Sequence, residues 1–171
     1  MNEDRIPPIA SVGLVVGAIL GLLGTFAPSD SLRGLAWGLD GVALVVAAAL
    51  LTVHHVRQGH DLLAGGFLVF AIGQGLVVST AAMGLPASSP SFGAGTGLWA
   101  ASLIIVSASR LMPHWIRGTG LIAAVLFGIV ALQIFAGRDL TPLSEPFPFF
   151  AYPFLVVTMF GWAWVHYRRP N

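Results

Sequence analysis

Six long apolar runs, separated by short polar stretches, dominate the chain. They lie at about 8–27, 34–53, 62–85, 97–112, 118–136 and 149–167. A helix needs about 20 residues to cross the hydrocarbon core of a bilayer. Most of the runs reach that length; the fourth, after a Ser- and Gly-rich lead, is the shortest. None shows the two-residue alternation of a barrel strand. Hydrocarbon offers backbone amides no partner, so each span must satisfy its own, and a helix does so. The pattern predicts an all-α fold: one polytopic membrane domain over 1–171, a bundle of six transmembrane helices.

The breaks have turn chemistry. Pro28-Ser29-Asp30-Ser31 forms the first, and the stretch from His54 to Asp61 the second. Pro86-Ala87-Ser88-Ser89-Pro90-Ser91 forms the third, and Pro113-His114-Trp115-Ile116-Arg117 the fourth. The longest connection, 137–148, is rich in proline. Gly93-Ala94-Gly95-Thr96-Gly97 lacks the order of a phosphate loop and reads as a flexible lead into the fourth helix. The first run follows two acids and one base, not a positive segment, and is longer than a signal-peptide core, so it reads as a retained helix. The stretches 6–60, 61–117 and 118–171 have similar lengths, and each ends in a His- and Arg-bearing segment. This suggests three repeated helical hairpins.

Composition agrees. Hydrophobic residues make up 56% and charged residues 9%, against roughly 25% charged in an ordinary soluble domain. The expected partner is therefore the lipid bilayer. A net charge of +1 with singly scattered bases gives no nucleic-acid footprint. The absence of cysteine excludes disulfides, thiolate metal sites and a cysteine nucleophile. All eight bases are arginine, which with abundant Ala, Gly, Leu and Val points to a bacterial inner (plasma) membrane.

Arginine placement predicts orientation, because cytoplasmic loops carry the excess of positive charge. With the amino terminus inside, the inner side holds Arg5, Arg57, Arg110, Arg117, Arg168 and Arg169. The outer side holds only Arg33 and Arg138. Both termini are therefore expected in the cytoplasm. Phe147, Phe149, Phe150 and Tyr152 then fall at the outer interface, and Trp162, Trp164 and Tyr167 at the inner one.

Three groups of residues are candidates for function. Gly13, Gly17 and Gly21 recur at four-residue spacing, which lets helix backbones approach closely. Packing within the bundle is the plain explanation, and a homo-oligomer through this face the sharper one. Asp40, Gln74 and Gln133 are polar groups inside apolar runs. Such groups usually face the bundle or a water-filled cavity. Counting 1.5 Å per residue from the helix ends puts Asp40 roughly 9 Å and Gln74 roughly 16 Å below one boundary. If the second and third helices pack together, the two side chains can meet in an outer-half polar pocket, with Gln133 closing it from above. The rival is Asp40 reaching interfacial water beside Trp37. The third group is an inner-face set of histidines, His54, His55, His60, His114 and His166. Imidazole titrates near neutrality, so the set is a candidate pH-responsive cluster. Adjacent His54 and His55 project about 100° apart on a helix. No ligand spacing points to a metal, and none of the histidines lies deep enough for haem, so no cofactor is expected.

No nucleophile arrangement emerges from Ser79, Ser102, Ser107 or Ser109, and no catalysis is expected. The glycine run from Gly13 to Gly24 with Pro28 just after it, on six helices in hairpins with prolines in the outer loops, resembles the HdeD-like family of small bacterial membrane proteins. Arg138-Asp139 and Phe147-Pro148-Phe149 depart from that style. The resemblance implies a non-catalytic role in envelope stress or homeostasis. The alternative is a channel or carrier for protons or a small solute.

Overall fold

The computed structural model describes residues 5–83 and 89–168, side chains at 81–83 excepted. It is a bundle of six helices, each long and apolar enough to cross a membrane. They are α1 (Ile6–Thr25), α2 (Asp30–Arg57), α3 (Asp61–Met83), α4 (Ser89–Ala108), α5 (His114–Phe135) and α6 (Tyr152–Arg168). A single 3₁₀ turn, Phe149–Ala151, leads into α6. Among the described residues there is no strand.

Several helix bounds differ from the hydropathy reading; α2 begins at Asp30 and not near 34, and α5 begins at His114 and not near 118, so the stretch from His114 to Arg117 is helical and not a turn. The second helix runs on through His54, His55 and Arg57, because a helix need not stop where the apolar run stops. Ser29 begins it, its hydroxyl accepting from Leu32 N at 3.3 Å. The stop is Gly59, with φ of 71°. Around it, Gly59 N donates to Val56 O at 3.1 Å and His60 N to His55 O at 2.9 Å. This pair of bonds is the Schellman motif, and its left-handed position suits glycine. The fourth helix begins at Ser89, not near 97, and ends at Ala108. The Gly93–Gly97 stretch is therefore helical, not a flexible lead. Pro90 lies in its first turn, where a missing N–H costs nothing. Its glycines are contact points: a methyl group on Gly93 would meet Ile134 and one on Gly95 would meet Val77. The proline-rich third turn lies mostly outside the described residues, as do Met1 to Asp4 and Arg169.

Each helix packs on its neighbours in sequence, and α6 closes the ring on α1. The fifth helix packs more extensively on α4 than on α6, so packing is not organised as three equal hairpins. Large apolar side chains such as Val12, Leu35, Val42, Val125 and Leu132 point outward. Lipid is as apolar as these side chains, so close packing and hydrogen bonds must hold the helices together. Two interhelical bonds illustrate this. Ser11 Oγ donates to Ala163 O, joining α1 to α6, and Ser102 Oγ donates to Gly66 O, joining α4 to α3, both at 2.9 Å.

The α1 glycines face α2. A methyl group on Gly13 would sit 2.9 Å from Ala47 Cβ, one on Gly17 would strike Leu44, and one on Gly24 would strike Trp37. In this arrangement α2 of the same chain fills the Gly13–Gly17–Gly21 face, and a second copy has no room on it.

The centre of the ring is filled by aromatic side chains. Phe67 meets Trp162 with ring centroids 5.1 Å apart, and Trp162 meets Phe70 at 5.5 Å. Phe70 meets Trp99 at 6.2 Å, and Trp99 meets Phe127 at 5.2 Å and Tyr152 at 6.5 Å. Phe67, Phe70, Trp99, Phe127 and Trp162 are all buried. This column divides the interior into two ends, each with its own cavity.

Candidate functional site

The first cavity, of about 120 Å³, lies toward the α1–α2 turn. Asp40 from α2, Gln74 from α3, Thr25 and Thr80 are among its polar lining residues, and Trp37, Trp99 and Tyr152 are among its aromatic walls. Gln74 Nε2 donates to Asp40 Oδ2 at 3.4 Å, a long and therefore weak bond. Asp40 Oδ1 and Gln74 Oε1 are buried atoms with no hydrogen-bond partner. Gln74 itself is only 1% exposed.

Local sequence makes room for the carboxyl group. A methyl group on Gly17 would lie 3.3 Å from Asp40 Oδ1, and one on Gly21 3.3 Å from Oδ2. The two glycines leave the space that the carboxyl group occupies. Trp37 Nε1 donates to Gly21 O at 3.3 Å, tying this stretch of α1 to α2. Trp37 thus lines the same cavity instead of merely flanking Asp40 at the interface. Arg33, one of only two bases assigned to this end, is engaged elsewhere. It pairs with Asp30, and its Nη2 donates to Ala27 O at 3.2 Å.

Gln133 does not join the group. Gly137, at φ of 90°, ends α5 in a second Schellman turn, with Arg138 N donating to Gln133 O at 3.0 Å. That turn brings Arg138 back over its own helix, where Nη1 donates to Gln133 Oε1 at 3.4 Å. The local turn engages the Gln133 side chain at the surface of its own helix, outside the cavity.

The second cavity, of about 290 Å³, lies at the opposite end. His54, His55, His60 and His166 line it. His55 is 5% exposed and His166 4%. Their Nε2 atoms are 2.9 Å apart, and His166 Nδ1 lies 2.7 Å from Trp162 O. A carbonyl only accepts, so His166 Nδ1 carries a proton. In the neutral ring Nε2 is then the acceptor, and His55 Nε2 donates to it. His55 also stacks on Phe67 at 5.6 Å, which joins this end to the aromatic column. The Schellman turn at Gly59 folds His60 back toward His55, ring centroids 5.7 Å apart. His60 Nδ1 is buried without a partner. His114 is exposed at the start of α5 and lines neither cavity. Among the described residues no three His, Asp or Glu side chains converge in a geometry that could hold a metal ion.

The hydroxyl groups of Ser79, Ser102 and Ser109 have structural partners. Ser79 donates to Leu76 O at 2.7 Å, and Ser109 Oγ accepts from Leu111 N at 3.3 Å. Sequence reasoning missed Trp99, Tyr152 and the glycine cradle of Asp40. Trp99 reads as one more apolar residue in a span and Trp37 and Tyr152 as interfacial residues, and only the packed bundle gives them a shared wall. Compared with known proteins, the chain matches no family model, no curated protein and no solved structure.

Proposed function

We propose that this multi-pass membrane protein binds a small solute in the Asp40 cavity and carries it across a bacterial plasma membrane without covalent chemistry. The observation that supports this reading is the pair of buried, unpartnered acceptors, Asp40 Oδ1 and Gln74 Oε1, beside a largely apolar, partly open cavity. Unpartnered buried polar groups cost stability, so a protein that keeps two side by side has a use for them. The aromatic column supports a carrier over an open channel, because it leaves no continuous polar path between the two ends. The test is solute flux into proteoliposomes. Accumulation that requires Asp40 is expected; absence of flux and of saturable binding across a panel of small solutes would overturn the reading.

The Asp40 end is proposed to face outward, with both termini in the cytoplasm. Arg57, Arg110, Arg117 and Arg168 lie at the histidine end, while Arg33 and Arg138 lie at the other. Reporter fusions after Asn171 and within 86–91 are expected to report opposite sides of the membrane, the first cytoplasmic. A periplasmic carboxyl terminus would reverse the assignment.

A further inference from the structure

We infer that the Asp40 cavity takes a protonated primary or secondary amine bearing a small apolar group. The inference rests on the solute-binding reading above and names the class of solute.

The chemistry of the walls selects it. Asp40 Oδ1 and Gln74 Oε1 are open acceptors side by side, so the partner this pair lacks is a donor; the buried indole N–H of Trp99, another lining residue, is the one open donor found with them. The bond Asp40 Oδ2 already accepts, from Gln74, is too long to satisfy a carboxylate. Among the described residues no cationic side chain pairs with Asp40, and Arg33 is held by Asp30 and Ala27 O. An ammonium group supplies the charge and the N–H bonds together. A carboxylate accepting from an ionised donor makes one of the stronger hydrogen bonds. The remaining walls are mostly apolar, with the aromatic rings of Trp99, Tyr152 and Phe149 among them. Aromatic faces attract a cation, the more so when water is excluded.

The same features exclude other classes. An anion would oppose Asp40. A calcium ion needs six to eight oxygen ligands, and two side chains supply too few. Size sets the remaining limit. A dry cavity of about 150 Å³ holds a benzene ring, so about 120 Å³ admits a head of one small ring or a short branched chain. Gly17 and Gly21 fix where the head can sit, because the carboxyl group rests against them.

The experiment is calorimetric titration of the full chain in lipid nanodiscs, with heats from empty nanodiscs subtracted. Three probes share one ring: benzylammonium, benzyl alcohol and benzyltrimethylammonium. Benzylammonium is expected to bind saturably at one site. Benzyl alcohol, which lacks the charge, and benzyltrimethylammonium, which lacks the N–H, are each expected to bind roughly tenfold more weakly or worse. Asp40→Asn, nearly the same shape, should weaken benzylammonium by a similar factor while its thermal unfolding midpoint confirms the fold. Equal binding of benzylammonium to wild type and Asp40→Asn overturns the inference, as does equal binding of benzyltrimethylammonium. If benzyl alcohol binds as tightly as benzylammonium and Gly21→Leu abolishes both, the cavity is a solute site and only the amine class fails. If no probe binds saturably and no solute is carried, the solute-binding reading fails with it.

Discussion

The two ends of the bundle solve the problem of buried polar groups in opposite ways. At the histidine end, a chain of hydrogen bonds runs from His55 through His166 to Trp162 O, and α2 is thereby tied to α6. At the aspartate end, the Asp40–Gln74 contact is long, and an acceptor on each side chain faces the cavity without a donor. The first arrangement spends His55 and His166 on holding helices together and leaves His60 Nδ1 as its open atom. The second leaves Asp40 Oδ1 and Gln74 Oε1 open. Satisfied buried networks rigidify a structure, and partly satisfied ones are where a ligand can add most. The difference suggests that the histidine end is structural and the aspartate end receptive, although sequence alone had nominated both as candidate sites.

This contrast can be broken by substitution. The largest effect is expected for Trp162→Ala in the aromatic column between the ends. Removing a buried aromatic side chain costs about 3–5 kcal/mol, and here it would also thin the barrier between the cavities. Thermal unfolding should show the loss, and ion leak through proteoliposomes should rise. A tight, fully stable variant would show that the column does not separate the ends. Next in size is His166→Ala, which deletes the bond to His55 and the bond to Trp162 O. A loss of about 1–3 kcal/mol is expected, with solute binding at the far cavity unchanged. Loss of binding with intact stability would reverse the roles of the two ends.

Gly21→Ala sharpens the comparison. The added methyl group lies 3.3 Å from Asp40 Oδ2 and must displace the carboxyl group slightly. A change of no more than about 1 kcal/mol in stability is expected, together with a severalfold loss of solute affinity. Unchanged affinity would mean that the glycine cradle does not position Asp40. The smallest stability effect belongs to Asp40→Asn. An amide retains the shape and removes a poorly paired carboxyl group, so stability should stay level or rise slightly. A marked destabilisation would identify the Asp40–Gln74 contact as a structural bond.

How much of this was legible beforehand depended on the kind of signal. Hydrophobicity alone gave the class of fold and the number of spans, since a helix is the only way for such runs to satisfy their backbone in lipid. The helix ends were harder. Hydropathy stopped α2 before its histidines, whereas Gly59 was the local stop signal that the structure uses. In the fourth span, Ser89, Pro90 and three glycines read as loop because the same residues serve helix starts and close packing.

The sequence by itself determined that this chain spans a membrane six times, that Asp40 and Gln74 lie inside spans, and that all five of its histidines fall at one end. Only the tertiary structure decided which of them meet. Counting residues gives depth along a helix but not the direction a side chain takes around it. That rotation is set by small residues on neighbouring helices. Gly17 and Gly21 admit Asp40, whereas Gly137 turns Arg138 onto Gln133 and removes it from the group. Apolar residues that face lipid and apolar residues that face the bundle look alike in one dimension. Packing in three dimensions assigns Trp99 and Tyr152 to a cavity wall and leaves His114 outside.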